Sequence, residues 1–348
     1  MAMKLAPKPE NLLERVALAL NLAPRPLLDT QIAFTMARAI QSAAELGMFE
    51  ALGKSASTFE SIAATCGADP TATKKLLDCL VGIGYARWKD GKYSLTKDMR
   101  KWLLRDSAHT LVAKLAFQNL EWDLVGKSSQ FVRTGVPLDF HQNATPQDWA
   151  IYQDGMRDIA SSPAIELAKR LAVPRGATRL LDIGGSHGLY SCELCRRHSA
   201  LTATILELPG AVDRASEIAA REGLGERVTH RTGDALSEDL GEATFDVVMA
   251  NNLIHHFTAD QNGELARRVA RALSPGGIYA IGDLLRANHP GAGGGLPAVM
   301  DFYFALTSAS GTWSLDDIRS WQRSAGLAPQ KPIKFPSLPG WVSAPASK

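Results

Sequence analysis

A short segment in the middle of the chain, LLDIGGSHGLYS from Leu180 to Ser191, constrains the fold most strongly. Its apolar start predicts a buried parallel strand. The closely spaced Gly184, Gly185 and Gly188 predict a tight turn that lets the backbone approach a ligand where a Cβ would intrude. Because a helical pattern follows, the segment indicates a strand, a glycine turn and a helix, which is a unit typical of nucleotide-binding α/β domains.

The acidic residue before the glycines, Asp182, limits what the turn can bind. A dinucleotide fingerprint reads G-x-G-x-x-G and holds a pyrophosphate at a helix N-terminus. Here the pattern is D-x-G-x-x-x-G, which places a carboxylate where that diphosphate would lie. S-adenosylmethionine suits this pattern better, because its sulfonium and ammonium groups are positive and its only anion is one carboxylate.

Length and composition indicate a globular protein of about two domains. The chain has 348 residues, of which 45% are apolar and 21% charged, and a net charge of +2. This balance favours neither a disordered tail nor a surface that coats polyanions. No apolar stretch is long enough to cross a bilayer, and the start is not a convincing signal peptide, so we expect no membrane association.

The four cysteines are too few for a disulfide scaffold in a chain of this length, which favours a reducing, cytoplasmic location. Cys192 and Cys195 form a C-x-x-C pair inside the helix after the glycine turn. Neither a second cysteine pair nor a histidine pair follows at metal-binding spacing, so we expect no metal or redox role for them.

Residues 1–105 show helical spacing followed by a hairpin signal, Asp90-Gly91, between two short apolar runs. Helices and a hairpin in this order predict a winged-helix-like domain, in which Asp69 and Pro70 begin one helix. The predicted helices are Asn11–Leu22, Leu28–Leu52, Thr58–Ala64 and Pro70–Ile83.

A winged helix can bind DNA, which makes a DNA-binding regulator with S-adenosylmethionine as its ligand the alternative of a different class. Residues 1–105 contain 15 basic and 10 acidic residues, a mild excess for a domain that neutralises phosphates. The helix that would read the bases carries only Lys74 and Lys75. We therefore expect dimerisation through this domain and no nucleic-acid partner.

Residues 106–175 are predicted to form a helical connector that contributes to a substrate pocket. Large apolar and aromatic side chains recur along it, and for each of them a core position is favoured unless it lies at the domain junction. The candidates for the pocket are Trp122, Phe131, Phe140, Trp149, Tyr152 and Met156.

Residues 176–348 alternate between strands and helices, which predicts a doubly wound α/β domain with a parallel sheet. Ligands bind such sheets at the carboxyl ends of the strands. Glu207 ends the second predicted strand, about twenty residues after the glycine turn, where a carboxylate can accept both ribose hydroxyls. Asp234 ends the third, where it can accept from an adenine amino group, although either residue alone is also compatible with a helix cap.

The fourth predicted strand leads into FDVVMANNLIHHF and brings Asn251, His255 and His256 to the same edge. A histidine, with an ordinary pKa of about 6.5, can remove the proton of a phenol during methyl transfer. Either histidine can instead have a purely structural hydrogen bond. A metal is not expected, because no third ligand follows at suitable spacing.

Taken together, these motifs resemble the S-adenosylmethionine-dependent O-methyltransferases of the plant caffeic-acid and acetylserotonin type and their bacterial secondary-metabolite relatives. The resemblance covers nearly the whole chain. Its motifs, in order, are LLDIGGSHG, LELPG, GDAL, LIHHF, SPGG, GTWSLDDI and the terminal LPGW.

The resemblance implies a role for each matching residue. His255 falls on the catalytic base, Asp283 on the acidic residue that orients it, and Met156 on a position that closes over cofactor and substrate. The residues implied to bind S-adenosylmethionine are Asp182, Gly184, Gly185, Ser186, Gly188, Glu207, Leu208, Gly233, Asp234, Ala235 and Asn251. Those implied to line the substrate site, besides Met156, are Trp122, Tyr152, His256, Met300, Asp301 and Phe304.

The chain departs from the family pattern at four positions. Ser186 replaces the third glycine, His256 an aspartate, Asn251 a common lysine and Thr312 a second glutamate near the base. The motifs and the resemblance together predict a homodimeric, metal-independent methyltransferase that acts on an aromatic hydroxyl of a small molecule. The alternative is N- or C-methylation on the same scaffold.

Overall fold

The computed structural model describes Pro9 and residues 11–292, 294–308 and 310–348. The described chain forms two compact units, which divide between Asn119 and Leu120 into an N-terminal and a C-terminal unit. The division falls inside a helix, Val112–Val125, so the predicted connector 106–175 is shared between the two units.

The N-terminal unit is helical apart from one hairpin. Its elements are α1 (Leu12–Ala19), α2 (Arg25–Leu27), a π-helical turn (Leu28–Ile32), α3 (Ala33–Glu45), α4 (Met48–Lys54), α5 (Phe59–Cys66), α6 (Pro70–Gly82), β1 (Ala86–Lys89), β2 (Lys92–Leu95), α7 (Lys97–Leu103) and α8 (Val112–Val125). The predicted single helix over Leu28–Leu52 is wrong. Gly47, with φ of 70°, ends one helix and starts the next, and an L-residue is disfavoured in that conformation.

Two predictions for this unit, the helix cap at Asp69 and the hairpin turn at Asp90-Gly91, are confirmed. Asp69 Oδ1 accepts a hydrogen bond from the Ala72 N–H at 2.8 Å and thereby caps α6. Asp90 and Gly91 have φ of 49° and 77°, as the tight turn of a two-residue hairpin requires. Large side chains from α4, α6 and β2, among them Phe49 and Tyr93, fill the core of the unit.

The first helices of this unit leave much apolar surface exposed. The predicted helix from Asn11 is α1, and none of its residues is buried. The sequence before Pro9, on which the absence of a signal peptide was predicted, lies outside the described residues. Several side chains of the first helices stay largely exposed, namely Leu12, Leu13, Leu20, Leu22, Ile32 and Phe34.

The C-terminal unit is a sheet with helices on both faces. Its elements are α9 (Ser128–Thr134), α10 (Phe140–Asn143), α11 (Pro146–Arg170), β3 (Arg179–Ile183), α12 (Leu189–Arg197), β4 (Thr202–Glu207), α13 (Val212–Ala220), β5 (Val228–Thr232), β6 (Phe245–Asn251), a 3₁₀ turn (Ile254–His256), α14 (Ala259–Ala272), β7 (Leu273–Leu284), α15 (Gly295–Thr307), α16 (Leu315–Ser324), β8 (Ala328–Pro329), β9 (Ile333–Lys334) and β10 (Trp341–Ser347). No helix in the described ranges is long and apolar enough to span a membrane.

The strand order is β5-β4-β3-β6-β7-β10-β8, and β9 also pairs with β10. The five predicted strands are present and parallel. The predicted doubly wound α/β sheet is confirmed, and β10, which was not predicted, extends it by running antiparallel to β7 from Trp341 to Ser347. Its sequence, WVSAPAS, contains Pro345 and only one β-branched residue, Val342, among small residues, so periodicity does not reveal it.

Apolar side chains pack on both faces of this sheet. Helices α11 and α12 cover one face, while α14 and α16 cover the other. The buried thiols of Cys192 and Cys195 belong to the first of these cores, and burial raises their pKa to about 12 and about 11. Neutral, buried thiols of this kind act as packing groups. The sheet on which they pack brings together, at one edge, the turns that follow β3, β4, β5 and β6.

Candidate active site

A cavity of about 460 Å³ lies at the carboxyl edge of β3, β4, β5 and β6, within the C-terminal unit. It brings together most of the residues that the strand ends predicted. Its lining consists of Asp139, His141, Trp149, Tyr152, Gly184, Ser186, Leu206, Glu207, Leu208, Gly233, Asp234, Ala235, Leu236, Asn252, Leu253, His256, Phe257 and Gln261.

The glycine turn has no room for side chains. A Cβ on Gly184 would lie 2.9 Å from Leu253 Cδ1, and one on Gly188 would lie 2.5 Å from Ile205 Cδ1. Both glycines have positive φ, 64° and 69°, so backbone conformation and space exclude a side chain independently. Gly233 is similarly confined, with 2.7 Å to Leu206 Cδ1. Gly184 and Ser186 of this turn line the cavity, whereas Gly185 and Gly188 do not.

We expect Gly188→Ala to destabilise the protein by about 2–4 kcal/mol, because it combines a left-handed conformation with overpacking against Ile205. Gly176→Ala is the matched control, since Gly176 has φ of 81° and nothing within 4 Å of its Cβ position. The control should lose only about 1 kcal/mol. Urea unfolding of both variants measures the difference, and equal losses would contradict the packing argument.

Asp182 lies under the glycine turn and is not among the cavity-lining residues. Its carboxylate is almost fully buried and accepts a hydrogen bond from Ser191 Oγ at 2.7 Å. A Cβ on Gly185 would lie 2.5 Å from its Cγ. Burial raises the pKa of Asp182 to about 7, against the lowering effect of the Ser191 hydrogen bond, and the charge of Glu207 adds to the rise.

Ser186 adopts a left-handed conformation, with φ of 48°, where the related family has glycine. Its N–H donates to Glu207 Oε2 at 2.8 Å, and its carbonyl accepts from His230 Nε2 at 2.8 Å. Burial lowers the pKa of His230, against the raising effect of this hydrogen bond, which keeps the imidazole neutral and able to donate Nε2–H. These two hydrogen bonds hold the turn in place without a glycine.

Ser186→Gly should stabilise the protein by about 0.5–1 kcal/mol, because glycine has no steric cost in this conformation. The Ser186 Oγ is buried with no hydrogen-bond partner within the described ranges, so its removal leaves no protein group unpaired. Thermal and urea unfolding of the variant measure the change. A loss of stability would mean that the hydroxyl itself contributes to the fold.

Glu207 and Asp234 provide the carboxylates that the strand ends bring to the cavity, and Asp139 is a third acidic residue of its lining. Glu207 accepts hydrogen bonds from the Leu208 and Ser186 N–H groups, both at 2.8 Å, through its two different oxygens. Burial raises its pKa, and these two hydrogen bonds oppose the rise. Asp234 is exposed and accepts from the Leu236 N–H at 2.9 Å. Bare glycine backbone next to fixed carboxylates fits a nucleoside with free hydroxyl and amino groups, as S-adenosylmethionine has.

The pair His255 and Asp283 is buried next to the cavity. His255 Nδ1 lies 3.0 and 2.9 Å from the two oxygens of Asp283, and only 3% and 1% of the two side chains are exposed. The carboxylate also accepts from the Leu284 N–H at 2.8 Å, which fixes its orientation. Because Nδ1 faces the carboxylate, the lone pair of neutral His255 is at Nε2. The Phe304 ring packs on the imidazole, with 3.9 Å between the centroids.

Two further imidazoles extend this pair, and together His141, His255 and His256 form what we term the imidazole cluster. The ring centroids of His256 lie 4.2 Å from His255 and 4.5 Å from His141. Burial lowers the pKa of His141 to about 4 and that of His256 well below its usual value, and neighbouring imidazoles add to both effects. His256 and His141 are therefore neutral.

Sequence reasoning missed His141, because it lies in α10, far along the chain from the other two, and belongs to no motif. The aromatic side chains around it were among the candidates of the connector. Its ring lies 5.1 Å from that of Trp149 and 5.0 Å from that of Tyr152. Burial raises the pKa of the Tyr152 hydroxyl, and nearby carboxylates add to the rise, so the wall of the cavity here is uncharged.

The other residues that were predicted to line the substrate site are not among those that line the cavity. Met156 and Met300 are half-buried on α11 and α15, outside the cavity lining, and Trp122 is 37% exposed. Asp301 Oδ1 accepts from the N–H and the hydroxyl of Thr312, at 2.8 and 2.7 Å. Thr312 thus anchors the carboxylate of Asp301 from α15, at the position where the plant members of the family carry a glutamate.

Two family models match the chain, an O-methyltransferase dimerisation domain over residues 28–106 and a methyltransferase domain over residues 180–277. Together with the mixed sheet and its carboxylate-bearing, glycine-lined edge, they define a two-domain methyltransferase. With a methyltransferase domain and an O-methyltransferase dimerisation domain, the chain is an S-adenosylmethionine-dependent methyltransferase. It is an enzyme, so a DNA-binding regulator is no longer the competing class.

Individual relatives are distant but cover most of the chain. A 3-hydroxy-5-methyl-1-naphthoate 3-O-methyltransferase of Streptomyces sahachiroi is 25% identical over 90% of this chain and 92% of its own. An L-tyrosine C(3)-methyltransferase of Streptomyces lavendulae is 26% identical over 87% and 86%. The structure of human N-acetylserotonin methyltransferase with S-adenosylmethionine superposes with a TM-score of 0.79 at 18% identity, over 99% of both chains.

Proposed function

We propose that this protein transfers a methyl group from S-adenosylmethionine to an aromatic hydroxyl of a small secondary metabolite, with His255 as the general base. The observation that carries the proposal is the buried pair of His255 and Asp283 beside the cavity. A carboxylate that holds Nδ1–H fixes the tautomer and stabilises the imidazolium that forms when the base accepts a proton.

The proposed reaction needs this chain to position two groups and to remove one proton. S-adenosylmethionine, when bound, supplies the electrophilic methyl group, whose bond to sulfur breaks to leave S-adenosylhomocysteine. Nε2 of His255 accepts the proton of the acceptor hydroxyl as its oxygen attacks, and Asp283 balances the resulting charge. Holding the hydroxyl close to the methyl group makes the transfer effectively intramolecular, which accounts for much of the acceleration. No metal is needed for these steps.

We assign the cavity carboxylates to the adenosyl part of the cofactor. Glu207 accepts from the ribose hydroxyls, and Asp234 with Ala235 faces the adenine, next to Leu208 and Gly233. Gly184, Gly185, Ser186 and Gly188 give the methionine part access to bare backbone. What supports this assignment is that Glu207 is oriented by two backbone N–H groups before any ligand binds.

The acceptor is proposed to lie against the aromatic and imidazole side chains near His255. Phe304 packs on the base itself, while Tyr152 and His256 line the cavity. We assign Met156 and Met300, which are half-buried on α11 and α15, to the outer wall of this region. Aromatic and thioether groups suit a flat, apolar acceptor.

The acceptor atom is tested with matched compounds. Naphthols, the corresponding naphthylamines and the unsubstituted naphthalenes are incubated with the full chain and S-adenosylmethionine, and the products are identified by mass spectrometry. We expect methylation of the hydroxyl compounds alone. Methylation of the amines or of ring carbons, with the hydroxyl compounds untouched, would favour the N- or C-methyltransferase alternative, which the departures at His256 and Thr312 and the tyrosine C-methylating relative support.

We further propose that the chain forms a homodimer through its N-terminal unit. The support is the apolar surface of the first helices, where Leu12 and Leu13 are 74% and 79% exposed. Light scattering should give twice the mass of one chain, and Leu12→Asp with Leu13→Asp should halve it, because a buried carboxylate opposes association. An unchanged dimer in this double variant would exclude α1 from the interface.

A further inference from the structure

A tryptophan near the C-terminus determines the orientation of an amide in the cavity. The Nε1–H of Trp341 donates to Oδ1 of Asn252 at 2.8 Å, and Asn252 lines the cavity. Indole N–H is a donor only, so the oxygen of the carboxamide must face Trp341. The NH₂ group of Asn252 is consequently the end that is left for the cavity.

Both partners are held rigidly. Trp341 is 1% exposed, stacks on Tyr190 with 5.7 Å between the centroids, and contacts Phe335 edge to face at 4.5 Å. Asn252 has φ of 51°, a left-handed conformation that asparagine tolerates better than most residues, and its N–H donates to the Gly282 carbonyl at 2.7 Å. The amide is therefore fixed before a ligand binds.

Asn251, the neighbour assigned by sequence to the cofactor, lies elsewhere. It is buried, its Nδ2 approaches Met249 Sδ at 3.9 Å, and its Oδ1 crowds the Cβ position of Gly282. It is not among the residues that line the cavity. The side chain after β6 that can reach a ligand is that of Asn252.

The strand order indicates which part of a ligand meets this amide. Asp234, Glu207 and the glycine turn follow β5, β4 and β3, and Asn252 follows the next strand, β6. Leu253 borders Gly184, so the turn and the segment after β6 adjoin. A cofactor with its adenine at Asp234 and its ribose at Glu207 thus places its amino-acid end between Gly184 and Asn252. This placement rests on the proposed function.

The charge of the cavity supports the same placement of the amino-acid end of the cofactor. Among its described lining residues there is no Lys or Arg, whereas Asp139, Glu207 and Asp234 are acidic. The carboxylate of the amino-acid end therefore needs neutral donors. We infer that Asn252 binds the carboxylate of the methionine part of S-adenosylmethionine through its NH₂ group, and that Trp341 is a positioning residue that holds the amide for it.

The inference is tested by calorimetric binding of two ligands to the full chain, without any methyl acceptor. S-adenosylhomocysteine carries the amino-acid end, and 5′-methylthioadenosine lacks it. Asn252→Gly tolerates the positive φ and removes the amide, and it should weaken S-adenosylhomocysteine about 10-fold while leaving 5′-methylthioadenosine within about twofold. Asn252→Asp keeps an acceptor for Trp341 and opposes a carboxylate, so it should cost more, about 30- to 100-fold.

Two more variants complete the experiment. Trp341→Phe frees the amide to rotate and should weaken S-adenosylhomocysteine several-fold without affecting 5′-methylthioadenosine, whereas Asn288→Ala, an exposed asparagine, should change neither. Unchanged binding of S-adenosylhomocysteine to Asn252→Gly, or equal loss of both ligands, would overturn the inference. Tight binding of 5′-methylthioadenosine to the wild type tests the adenosyl placement separately, and neither measurement depends on His255 or on the acceptor.

Discussion

Replacing His255 with alanine should lower kcat about 10²- to 10⁴-fold while leaving the affinity for S-adenosylhomocysteine unchanged. The physical reason is that Nε2 is the proton acceptor in the proposed reaction, and a positioned base contributes a factor of this size. His255 is buried against Asp283 and Phe304. Initial rates with a naphthol acceptor and calorimetric binding of S-adenosylhomocysteine measure the two effects separately.

Asp283→Asn and His289→Ala accompany this variant. The asparagine can present its NH₂ to Nδ1 and so favour the wrong tautomer, and we expect kcat to fall without a change in acceptor KM. His289 is exposed, and its replacement should leave the rate unchanged. A turnover of His255→Ala within about threefold of the wild type would refute the general-base role and favour an acceptor that needs no deprotonation, such as an amine.

Replacing Glu207 with glutamine should weaken S-adenosylhomocysteine about 100-fold. Both carboxylate oxygens already accept from backbone N–H groups, of Leu208 and Ser186. Glutamine must turn its NH₂ toward one of these donors, so the side chain loses a hydrogen bond within the chain as well as the charge-assisted bonds to the ribose. The affinity for 5′-methylthioadenosine should fall by a similar factor, because that ligand contains the ribose.

Glu226→Gln is the control for this experiment, because it makes the same chemical change at an exposed position. Circular dichroism and urea unfolding then separate a loss of binding from a loss of structure in the turn. If Glu207→Gln binds both ligands as tightly as the wild type, the ribose lies elsewhere and the assignment of the cavity is wrong. If it loses only S-adenosylhomocysteine, Glu207 serves the amino-acid end of the cofactor.

Much of the fold follows from local signals in the sequence. The five parallel strands are recognisable because buried parallel strands are short apolar runs, and Asp69 and the Asp90-Gly91 turn mark element ends through their own chemistry. Gly47 and β10 were missed. A glycine inside a helical pattern does not reveal that its φ is positive, and a strand containing Pro345 is stabilised by pairing with β7, which periodicity cannot show.

The residues of the candidate site likewise fall into those whose positions the sequence predicted and those whose positions it did not. Glu207, Asp234 and the glycines lie at strand ends, and the order of a parallel sheet brings such ends together, so sequence spacing was sufficient to predict their proximity. The orientation of neighbouring side chains was not predictable: Asp182 lies under the turn, and Asn252 rather than Asn251 lines the cavity. Adjacent side chains point in different directions, and the contact with Trp341 determines that it is Asn252 that faces the cavity.

The sequence by itself indicated the class of the protein and the cofactor, because these depend on residue types at the ends of strands, and its resemblance to the methyltransferase family implied the pairing of His255 with Asp283. The tertiary structure alone decided the contribution of His141 and the conformation of Ser186. His141 reaches the imidazole cluster only because α10 packs there, and Ser186 keeps a left-handed backbone only because Glu207 and His230 hold it from two other strands. Contacts between segments distant along the chain are set by packing, which no local pattern records.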